Sequence, residues 1–326
     1  MSAAPLLAVD DLHTHFDTPR GRVRAVDGVT FSLERGRTLG IVGESGCGKS
    51  VLSRTIMSLL PSNARVPQGS RVLFDGRDLR RLSERQLREV RGRHMAMIFQ
   101  DPMTSLNPVM TCGAQIVESL TWHMGLSRRA ARDRAVELCT AVGIPEPARR
   151  VDHYPHQLSG GMRQRVAIAI AISCEPALLI ADEPTTALDV TVQAEILDLL
   201  ARQQRERHMA LILITHDLGV VAGHTDEVAV MYAGRIVERA ATTALFADTR
   251  MPYTEALLRS IPRLSDPPHT PLETIAGRPP ELIDPPSGCR FAPRCRYVAD
   301  DCRQRTPALS GDGHAFACWH PLGPAS

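Results

Sequence analysis

A glycine-rich segment constrains the fold of this chain more than any other feature of its sequence. Its eight residues match the pattern G-x-x-x-x-G-K-[ST] in full, and they are Gly43, Glu44, Ser45, Gly46, Cys47, Gly48, Lys49 and Ser50. An apolar run of strand type, Thr38–Val42, precedes the segment, and residues 51–57 have a helical composition. A strand, a glycine turn and a helix in this order cradle phosphate groups, because backbone N–H groups in the turn and at the helix start point towards an anion. The segment therefore predicts an α/β fold with a phosphate-binding loop at the end of a buried strand.

Lysine is almost absent from the chain, since Lys49 is the single lysine among 38 basic residues. Arginine presents a planar fork of donors, whereas lysine is a compact charge on a flexible stem. A lysine kept at this one position indicates a site that needs the smaller group. We expect Lys49 to reach the terminal phosphates of a nucleotide and the Ser50 hydroxyl to ligate Mg²⁺.

Two more apolar runs end in residues that suit phosphate chemistry. Residues 177–181 lead into Asp182 and Glu183, and residues 211–214 lead into Thr215 and His216. Continuous apolar runs are typical of central parallel strands, and ligands gather at the carboxyl ends of such strands. We expect Asp182 to hold Mg²⁺ through water and Glu183 to orient and deprotonate an attacking water. His216 is predicted to lie at the same edge of the sheet.

A second helix start has the features of an anion site. The segment Leu158-Ser159-Gly160-Gly161-Met162-Arg163-Gln164-Arg165 opens a helix predicted to run to residue 171. Ser159 fits an N-cap, and the two glycines allow another body to approach the backbone closely. An ordinary capped helix would have the same start, so this segment is interpreted together with the other motifs of the chain.

Together these motifs resemble the nucleotide-binding subunit of an ABC transporter. The resemblance rests on the Walker A segment 43–50, Gln100 within residues 97–102, the LSGG segment, Asp182-Glu183, Ala187-Leu188-Asp189 and His216. It implies a RecA-like parallel-sheet core, an antiparallel β-subdomain and a helical subdomain at about residues 103–155. The nucleotide-binding domain is expected at residues 1–250, and residues 251–326 are expected to form a cysteine-rich C-terminal extension.

The resemblance also implies roles for individual residues. Two such domains close head to tail, so that each ATP lies between one chain's P-loop and the Ser159, Gly160 and Gly161 backbone of the other. Gln100 senses Mg²⁺ and the attacking water and couples them to a membrane subunit. Asp189 joins the two sites across the dimer, and His216 grips the γ-phosphate and keeps Glu183 oriented.

An aromatic ring from the N-terminal β-region stacks on adenine in this family. Phe16 is the candidate here, because Phe31 alternates with Val29 and Leu33 and so is predicted to be a core residue. The alternative is that Phe16 also belongs to the core.

Several segments resemble the ATPases of oligopeptide and dipeptide importers in particular. They are residues 40–46, 91–92 and 99–108, Pro252-Tyr253-Thr254, and the proline-containing stretch from residue 279 to Cys289. Met251 departs from the histidine that usually precedes Pro-Tyr-Thr. The implied partners are a second ATPase subunit, usually a paralogue, two membrane permeases and an extracytoplasmic binding protein, with this chain at the cytoplasmic face of the membrane. Nickel chelates or oligosaccharides are alternative cargoes, and a soluble ABC ATPase of DNA repair or translation is the rival class.

The eight cysteines fall into two groups. Cys47, Cys112, Cys139 and Cys174 are scattered and are predicted to be small core or loop residues. Cys289, Cys295, Cys302 and Cys318 crowd the end of the chain with the spacing C-x5-C-x6-C-x15-C. Four thiolates around a [4Fe–4S] cluster or a zinc ion would staple this segment, and the lack of C-x2-C pairs favours the cluster. Unligated thiols are the alternative, His314 and His320 are lesser candidate ligands, and a redox-responsive regulator of transport is a further hypothesis.

Charge and hydropathy exclude other classes. A net charge of +2 predicts no nucleic-acid partner, and the arginine-rich residues 77–93 interleave with acidic residues as on a solvated helix face. No apolar run approaches the ~20 residues of a membrane span, and the first residues have no signal-peptide pattern. We therefore expect a cytoplasmic, globular protein.

Overall fold

The computed structural model describes residues 4–101, 105–186, 188–261, 273–283 and 285–323. Residues 102–104 and Ala187, which belong to motifs above, lie outside the described residues. The chain divides into two units. The first takes the described residues of Met1–Leu33, Thr38–Arg80 and Thr215–Ser326, and the second takes those of Glu34–Arg37 and Arg81–Ile214.

An antiparallel sheet of the first unit contains the N-terminal strands. Its strands are β1 (Leu7–Thr18), β2 (Gly21–Leu33), β4 (Ala64–Arg65), β5 (Arg71–Phe74) and β6 (Arg77–Asp78). They are arranged in the order β2-β1-β5-β6, with β4 also paired to β1. Apolar side chains alternate with polar ones along β1 and β2, so that one face is buried. Phe31 is buried on β2, as predicted.

A second set of strands in the first unit carries the glycine-rich loop. In the order β12-β11-β10-β3 these strands are β12 (His314–Phe316), β11 (Arg235–Ala241), β10 (Glu227–Tyr232) and β3 (Thr38–Val42). β10 is parallel to β3, and β11 and β12 add antiparallel. The helices of this unit are α1 (Lys49–Ile56), α8 (Leu218–Ala222), α9 (Thr242–Ala247), α10 (Pro252–Arg259) and α11 (Asp300–Gln304).

The C-terminal extension uses the core of the first unit rather than one of its own. β12 pairs with β11, and Phe291 packs against Tyr232 and Tyr253 with ring centroids 5.4 and 5.3 Å away. All three aromatic residues are buried. A segment rich in proline and glycine is thus ordered by the sheet edge and by an aromatic cluster that the rest of the unit provides.

The second unit contains parallel strands and most of the longer helices. Its strands lie in the order β9 (Ala210–Thr215), β8 (Leu178–Asp182) and β7 (Met95–Ile98), and β8 is buried throughout. Its helices are α2 (Glu84–Val90), α3 (Cys112–Met124), α4 (Arg128–Ala141), α5 (Pro147–Arg150), α6 (Gly160–Ile172) and α7 (Val190–Arg207). Among the helices in the described ranges, none has the combination of length and apolarity that a bilayer span requires.

Side-chain caps set several helix starts in the second unit. Ser127 caps α4 and Thr111 caps α3, each by accepting a hydrogen bond from the backbone N–H three residues on. Ser83 forms a capping box with Gln86 at the start of α2, and that helix carries surface ion pairs such as Arg88 with Glu84. α3 and α4 both lie within residues 103–155, the segment that the resemblance marks as the helical subdomain.

Candidate active site

The glycine-rich loop joins β3 to α1 in the first unit, as the sequence predicts. Gly43 has φ +154° and Gly48 has φ +108°, both in the region that favours glycine. A Cβ atom on Gly43 would lie 2.1 Å from the carbonyl oxygen of Met231, and one on Gly48 would lie 2.1 Å from that of Ala25. Backbone packing on two sides of the loop therefore requires glycine at both positions.

Lys49 is buried at the start of α1, with 5% of its surface exposed. Its Nζ donates hydrogen bonds to the carbonyl oxygens of Gly43 at 2.7 Å and Glu44 at 3.1 Å, so the ammonium group lies inside the curl of the loop. No side chain caps α1 at Gly48, which leaves the first N–H groups of the helix oriented for an anion. Ser45 and Gly46 are exposed on the open side of the loop.

The Cys47 side chain points into the protein, and its role in nucleotide binding stays a prediction. It is buried, and burial raises the pKa of its thiol. Its carbonyl oxygen accepts a 2.8 Å hydrogen bond from the N–H of Gly234, in the turn between β10 and β11. This backbone hydrogen bond holds the loop against the turn.

Phe16 lies on β1, half-buried, and pairs with Val23 on β2 and Ala64 on β4. Partial exposure leaves one part of the ring accessible, as base stacking requires. The role of Phe16 stays a prediction. His216 belongs to the first unit, which resumes at Thr215, and it is exposed. The next residue, Asp217, caps α8 with its side chain.

In the second unit, the structure brings together two predicted residues that are 83 positions apart. Glu183 follows the buried Asp182 at the end of β8, and its Oε2 accepts a 3.0 Å hydrogen bond from Nε2 of Gln100. The hydroxyl of Thr186 donates to the same oxygen at 3.0 Å. Two donors thus fix one oxygen of a half-buried carboxylate. The sequence did not indicate Thr186.

Glu183 also has an unusual backbone conformation. Its φ is +47°, and its N–H donates to the carbonyl oxygen of Ile214 at 2.9 Å. A non-glycine residue with positive φ carries strain, and such strain is concentrated at functional sites. The conformation re-aims the side chain away from the path of β8.

The LSGG segment starts α6, as predicted. Ser159 is the N-cap and accepts a hydrogen bond from the N–H of Met162, and both Ser159 and Gly160 are exposed. Gly161 has a different reason to be glycine: a Cβ there would lie 2.8 Å from Cγ1 of Val192 on α7. At Gly161, the group that packs closely against the glycine is therefore Val192 of this chain.

Asp189 is exposed and caps α7 by accepting a hydrogen bond from the N–H of Val192 at 2.9 Å. Val190, next in sequence, is 83% exposed. The predicted role of Asp189 across a dimer stays a prediction, and its cap explains locally why an acidic residue starts the helix.

The four C-terminal cysteines meet in the first unit. Cys289, Cys295, Cys302 and Cys318 line one cavity of about 10 Å³, which Tyr297, Trp319 and His320 also border. The N–H of Cys289 donates to the carbonyl oxygen of Cys302 at 2.7 Å, which ties the two segments together. Burial raises the pKa of Cys318 to about 11. The other four cysteines are buried, as predicted.

The two C-terminal histidines have carboxylate partners. Nε2 of His314 lies 2.8 Å from Glu238, and Nε2 of His320 lies 2.8 Å from Asp301. Possible ligand atoms of Asp301, Cys302 and His320 lie within 4.8 Å of one another, whereas His314 belongs to no such group among the described residues.

Two residues from beyond position 250, Tyr253 and Arg294, contact the glycine-rich loop, and the sequence did not indicate them as site residues. The N–H of Glu44 donates to the hydroxyl of Tyr253 at 2.9 Å, and Arg294 forms a two-pronged ion pair with the Glu44 carboxylate. The signal for Tyr253 was its place in the Pro-Tyr-Thr motif. The signal for Arg294 was its position just before Cys295.

Comparisons with known proteins agree with this geometry. A family model described as ABC transporter matches residues 26–186, and one described as oligopeptide/dipeptide transporter, C-terminal region, matches residues 237–302. The dipeptide transport ATP-binding protein DppD of Bacillus subtilis is 51% identical over 317 residues, which cover 96% of this chain and 94% of that protein. DppD of Escherichia coli is 50% identical and the oligopeptide transport ATP-binding protein OppD of B. subtilis is 51% identical, covering 97% and 98% of this chain and 97% and 90% of their own lengths.

Solved structures with the same fold are ATP-binding cassettes. A dimeric post-hydrolysis state of the cassette MJ0796, bound to ADP and Pi, has a TM-score of 0.65 at 26% identity and covers 72% of this chain and 98% of its own. CbiO1 of Clostridium perfringens, part of the cbiONQ complex, has a TM-score of 0.63 at 30% identity and covers 75% and 92%. The predicted P-loop fold is confirmed.

Proposed function

Because the chain belongs to the ABC transporter family, in its group of dipeptide and oligopeptide transport ATP-binding proteins, we propose that it is the ATP-hydrolysing subunit that powers peptide uptake through a membrane transporter. The observation that carries this proposal is the curl of the glycine-rich loop around the Lys49 ammonium in the first unit. The second unit, taken by itself, adds a Glu183 carboxylate held by Gln100 and Thr186. The names of the relatives do not favour a soluble ATPase of DNA repair or translation.

The loop residues bind the phosphates of ATP. The N–H groups of the loop and of the uncapped start of α1 donate to the phosphate oxygens, and Lys49 turns from its carbonyl partners towards the terminal phosphates. Ser50, Asp182 and Gln100 offer the hydroxyl, carboxylate and amide oxygens that Mg²⁺ prefers. When bound, Mg²⁺ neutralises the charge that builds on the phosphate oxygens. Phe16 stacks on adenine.

Glu183 positions and deprotonates the attacking water. Hydrogen bonds from Gln100 and Thr186 to Oε2 fix the orientation of the carboxylate that acts on the water. Phosphoryl transfer depends mainly on such positioning and on charge neutralisation, and His216 contributes by holding the γ-phosphate.

A partner ATPase subunit completes each site. The exposed Ser159 and Gly160 at the start of α6 are available to a nucleotide on a facing subunit, and the exposed Asp189 and Val190 lie where the second contact forms. The facing subunit is a paralogue, and the assembly includes two permeases and an extracytoplasmic binding protein. Val109 and Trp122, which are 80% and 76% exposed, are suited to permease contacts on the helical part of the second unit. The chain thus works as a peripheral protein at the cytoplasmic face of the membrane.

We also propose that the thiolates of the four C-terminal cysteines would hold a [4Fe–4S] cluster. All four border one cavity, and a thiolate set is what such clusters require. Four sulfurs around one zinc ion lie within about 4 Å of one another. Among the described residues, no three of these sulfurs lie within 4.8 Å of each other, which favours the larger group.

The decisive experiment for the ATPase proposal is co-purification from the native membrane, followed by ATPase assays of the assembly. We expect permeases in the assembly and hydrolysis of MgATP that peptide and binding protein stimulate. Glu183→Gln should keep MgATP affinity and lower the rate by about 10²–10⁴-fold, because it removes the base. Glu137→Gln, on an exposed face of α4, is the matched control. An assembly that fails to bind MgATP, or Glu183→Gln with the parent rate, would refute the proposal.

The cluster proposal has a separate test. Protein purified without oxygen should contain about four iron and four sulfide ions per chain and absorb visible light. Cys302→Ser should lose both, while Cys174→Ser, a buried cysteine of the second unit, should keep them. A colourless, metal-free protein with four titratable C-terminal thiols would refute the cluster. One tightly held zinc ion per chain would show instead that these cysteines bind zinc.

A further inference from the structure

Glu44, the second residue of the glycine-rich loop, has three polar groups with assigned partners. Its carbonyl oxygen accepts from Nζ of Lys49 at 3.1 Å, and its N–H donates to the hydroxyl of Tyr253 at 2.9 Å. Its carboxylate receives two hydrogen bonds from Arg294, with Nη1 to Oε2 at 2.6 Å and Nη2 to Oε1 at 2.9 Å. The residue that holds the Lys49 ammonium is therefore held in turn by two residues from beyond position 250.

Arg294 is built into the structure as a fixed donor. Its side chain is 3% exposed, and its guanidinium also donates to the carbonyl oxygens of Ala276 and Ile275 and to the Tyr232 hydroxyl. The hydrogen bonds that Arg294 donates to Glu44 raise the pKa of Arg294, so its guanidinium stays protonated. Two-pronged arginine–carboxylate pairs add directional precision to their strength, because both partners are planar.

The same short segment makes a second connection towards the loop. Arg290, 7% exposed, donates to the carbonyl oxygen of Ala233 and to Oδ2 of Asp27. Ala233 precedes Gly234, whose N–H donates to the carbonyl oxygen of Cys47. Cys289 and Cys295 bound this segment, which we call the arginine segment (residues 289–295). Arg294 thus contacts the loop directly. Arg290 is connected to it indirectly, through the turn at Ala233 and Gly234.

We propose that Arg294 is a positioning residue of the nucleotide site, acting through Glu44, and that the arginine segment helps to fix the conformation of the phosphate-binding loop. The inference rests on the proposed ATPase function. A glycine-rich loop has many accessible backbone conformations, and binding a phosphate chain requires one of them. Anchoring Glu44 removes the competing conformations before ATP arrives, so the anchor improves affinity without touching the nucleotide.

The test is a double-mutant cycle on the full-length chain. Arg294→Met and Glu44→Gln, alone and combined, are compared with the parent by titration with MgATP and by thermal unfolding without nucleotide. Arg296→Met is the matched control, because its guanidinium is 51% exposed and lies 3.9 Å from its nearest carboxylate, Glu273. Each single variant should raise the Kd for MgATP by about tenfold, as loss of one charged hydrogen-bond pair does. The Kd of the double variant for MgATP should be no higher than that of the weaker-binding single variant.

Kinetics of the transporter assembly separate positioning from a general loss of folding. Loss of an anchor raises the KM for ATP by about the same factor and leaves kcat at saturating ATP within about twofold, since Glu183 and His216 are unchanged. Arg294→Lys, which keeps the charge and loses the fork, should bind ATP with intermediate affinity.

Three results would overturn the inference. They are a folded Arg294→Met or Glu44→Gln with the parent's Kd, single effects that multiply in the double variant, and an Arg296→Met that weakens ATP as much as Arg294→Met. If Arg294→Met does not fold, Glu44→Gln decides, because Arg294 then keeps its carbonyl partners. A parent chain that binds no MgATP refutes the proposed function instead, so the two failures are distinguishable.

Discussion

Asp27 joins the antiparallel sheet to the C-terminal extension, and its replacement should give a pH-dependent loss of stability. Its side chain is 5% exposed and pairs through Oδ2 with Arg290 and Arg235 and through Oδ1 with His13. Burial opposes ionisation of Asp27, but the two guanidinium groups outweigh it and lower its pKa to about 2 from an ordinary 3.8.

The pKa gives the size and direction of the effect. A carboxylate whose pKa is lower in the folded state stabilises that state fully above the unfolded pKa, and this contribution disappears as pH falls through the folded pKa. A tenfold change in proton affinity is worth about 1.4 kcal/mol, so Asp27 contributes about 2 kcal/mol above pH 5. About 1 kcal/mol of it should be lost by pH 3.

Asp27→Asn removes this titration and leaves two arginines without their carboxylate. Breaking a buried ion pair from one side costs about 3–5 kcal/mol, so we expect a loss of that order near pH 7. The gap between parent and variant should narrow by about 1 kcal/mol between pH 7 and pH 3. Asp11→Asn is the control, since the Asp11 side chain is 68% exposed and forms an ion pair with His13 at 2.9 Å.

The assay can be confined to the unit that contains Asp27. Trp319 belongs to the first unit and Trp122 to the second, and the chain has no other tryptophan. In a Trp122→Phe background, urea unfolding followed by fluorescence at pH 7, 5, 4 and 3 reports on the first unit alone. A gap that stays constant with pH, or a loss no larger than that of Asp11→Asn, would refute the reasoning.

Three further changes probe the nucleotide site. Lys49→Ala should raise the Kd for MgATP by about 10–100-fold in a titration, because it removes a charged hydrogen-bond donor; an unchanged Kd would exclude Lys49 from phosphate binding. Thr186→Val should lower the ATPase rate about tenfold with KM retained, because one of two donors to Glu183 is lost; the parent rate would show that Gln100 suffices. Gly161→Ala should weaken ATP-driven dimerisation in gel filtration, since its Cβ would meet Val192 at 2.8 Å and overpacking costs about 1–3 kcal/mol; adding Val192→Ala should restore it, and no rescue would point to direct contact with the nucleotide.

Much of the site could be predicted because its signals are local. The glycines, Lys49 and Ser50 are adjacent in sequence, and Asp182 and Glu183 end a strand that composition alone marks as buried. The resemblance to ABC transporter subunits also placed Gln100 near the site, although its contact with Glu183 spans 83 residues.

The contacts of the extension could not be predicted, because no local pattern encodes them. Arg294 meets Glu44 across 250 residues, and Arg290 meets Asp27 across 263. In a chain with so many arginines, neither is distinguished by type. The role of Gly161 was also incomplete from sequence, since the neighbour that requires a glycine there is Val192 on another helix.

The pairing of β12 with β11 has a consequence for any shortened form of the chain. A polypeptide ending at the predicted domain boundary, residue 250, would lose β12 and leave the backbone N–H and C=O groups along one side of β11 open. Such unpaired backbone groups are a template for pairing with strands of other molecules, which is a route to aggregation. By covering this edge, β12 protects β11 against pairing between molecules.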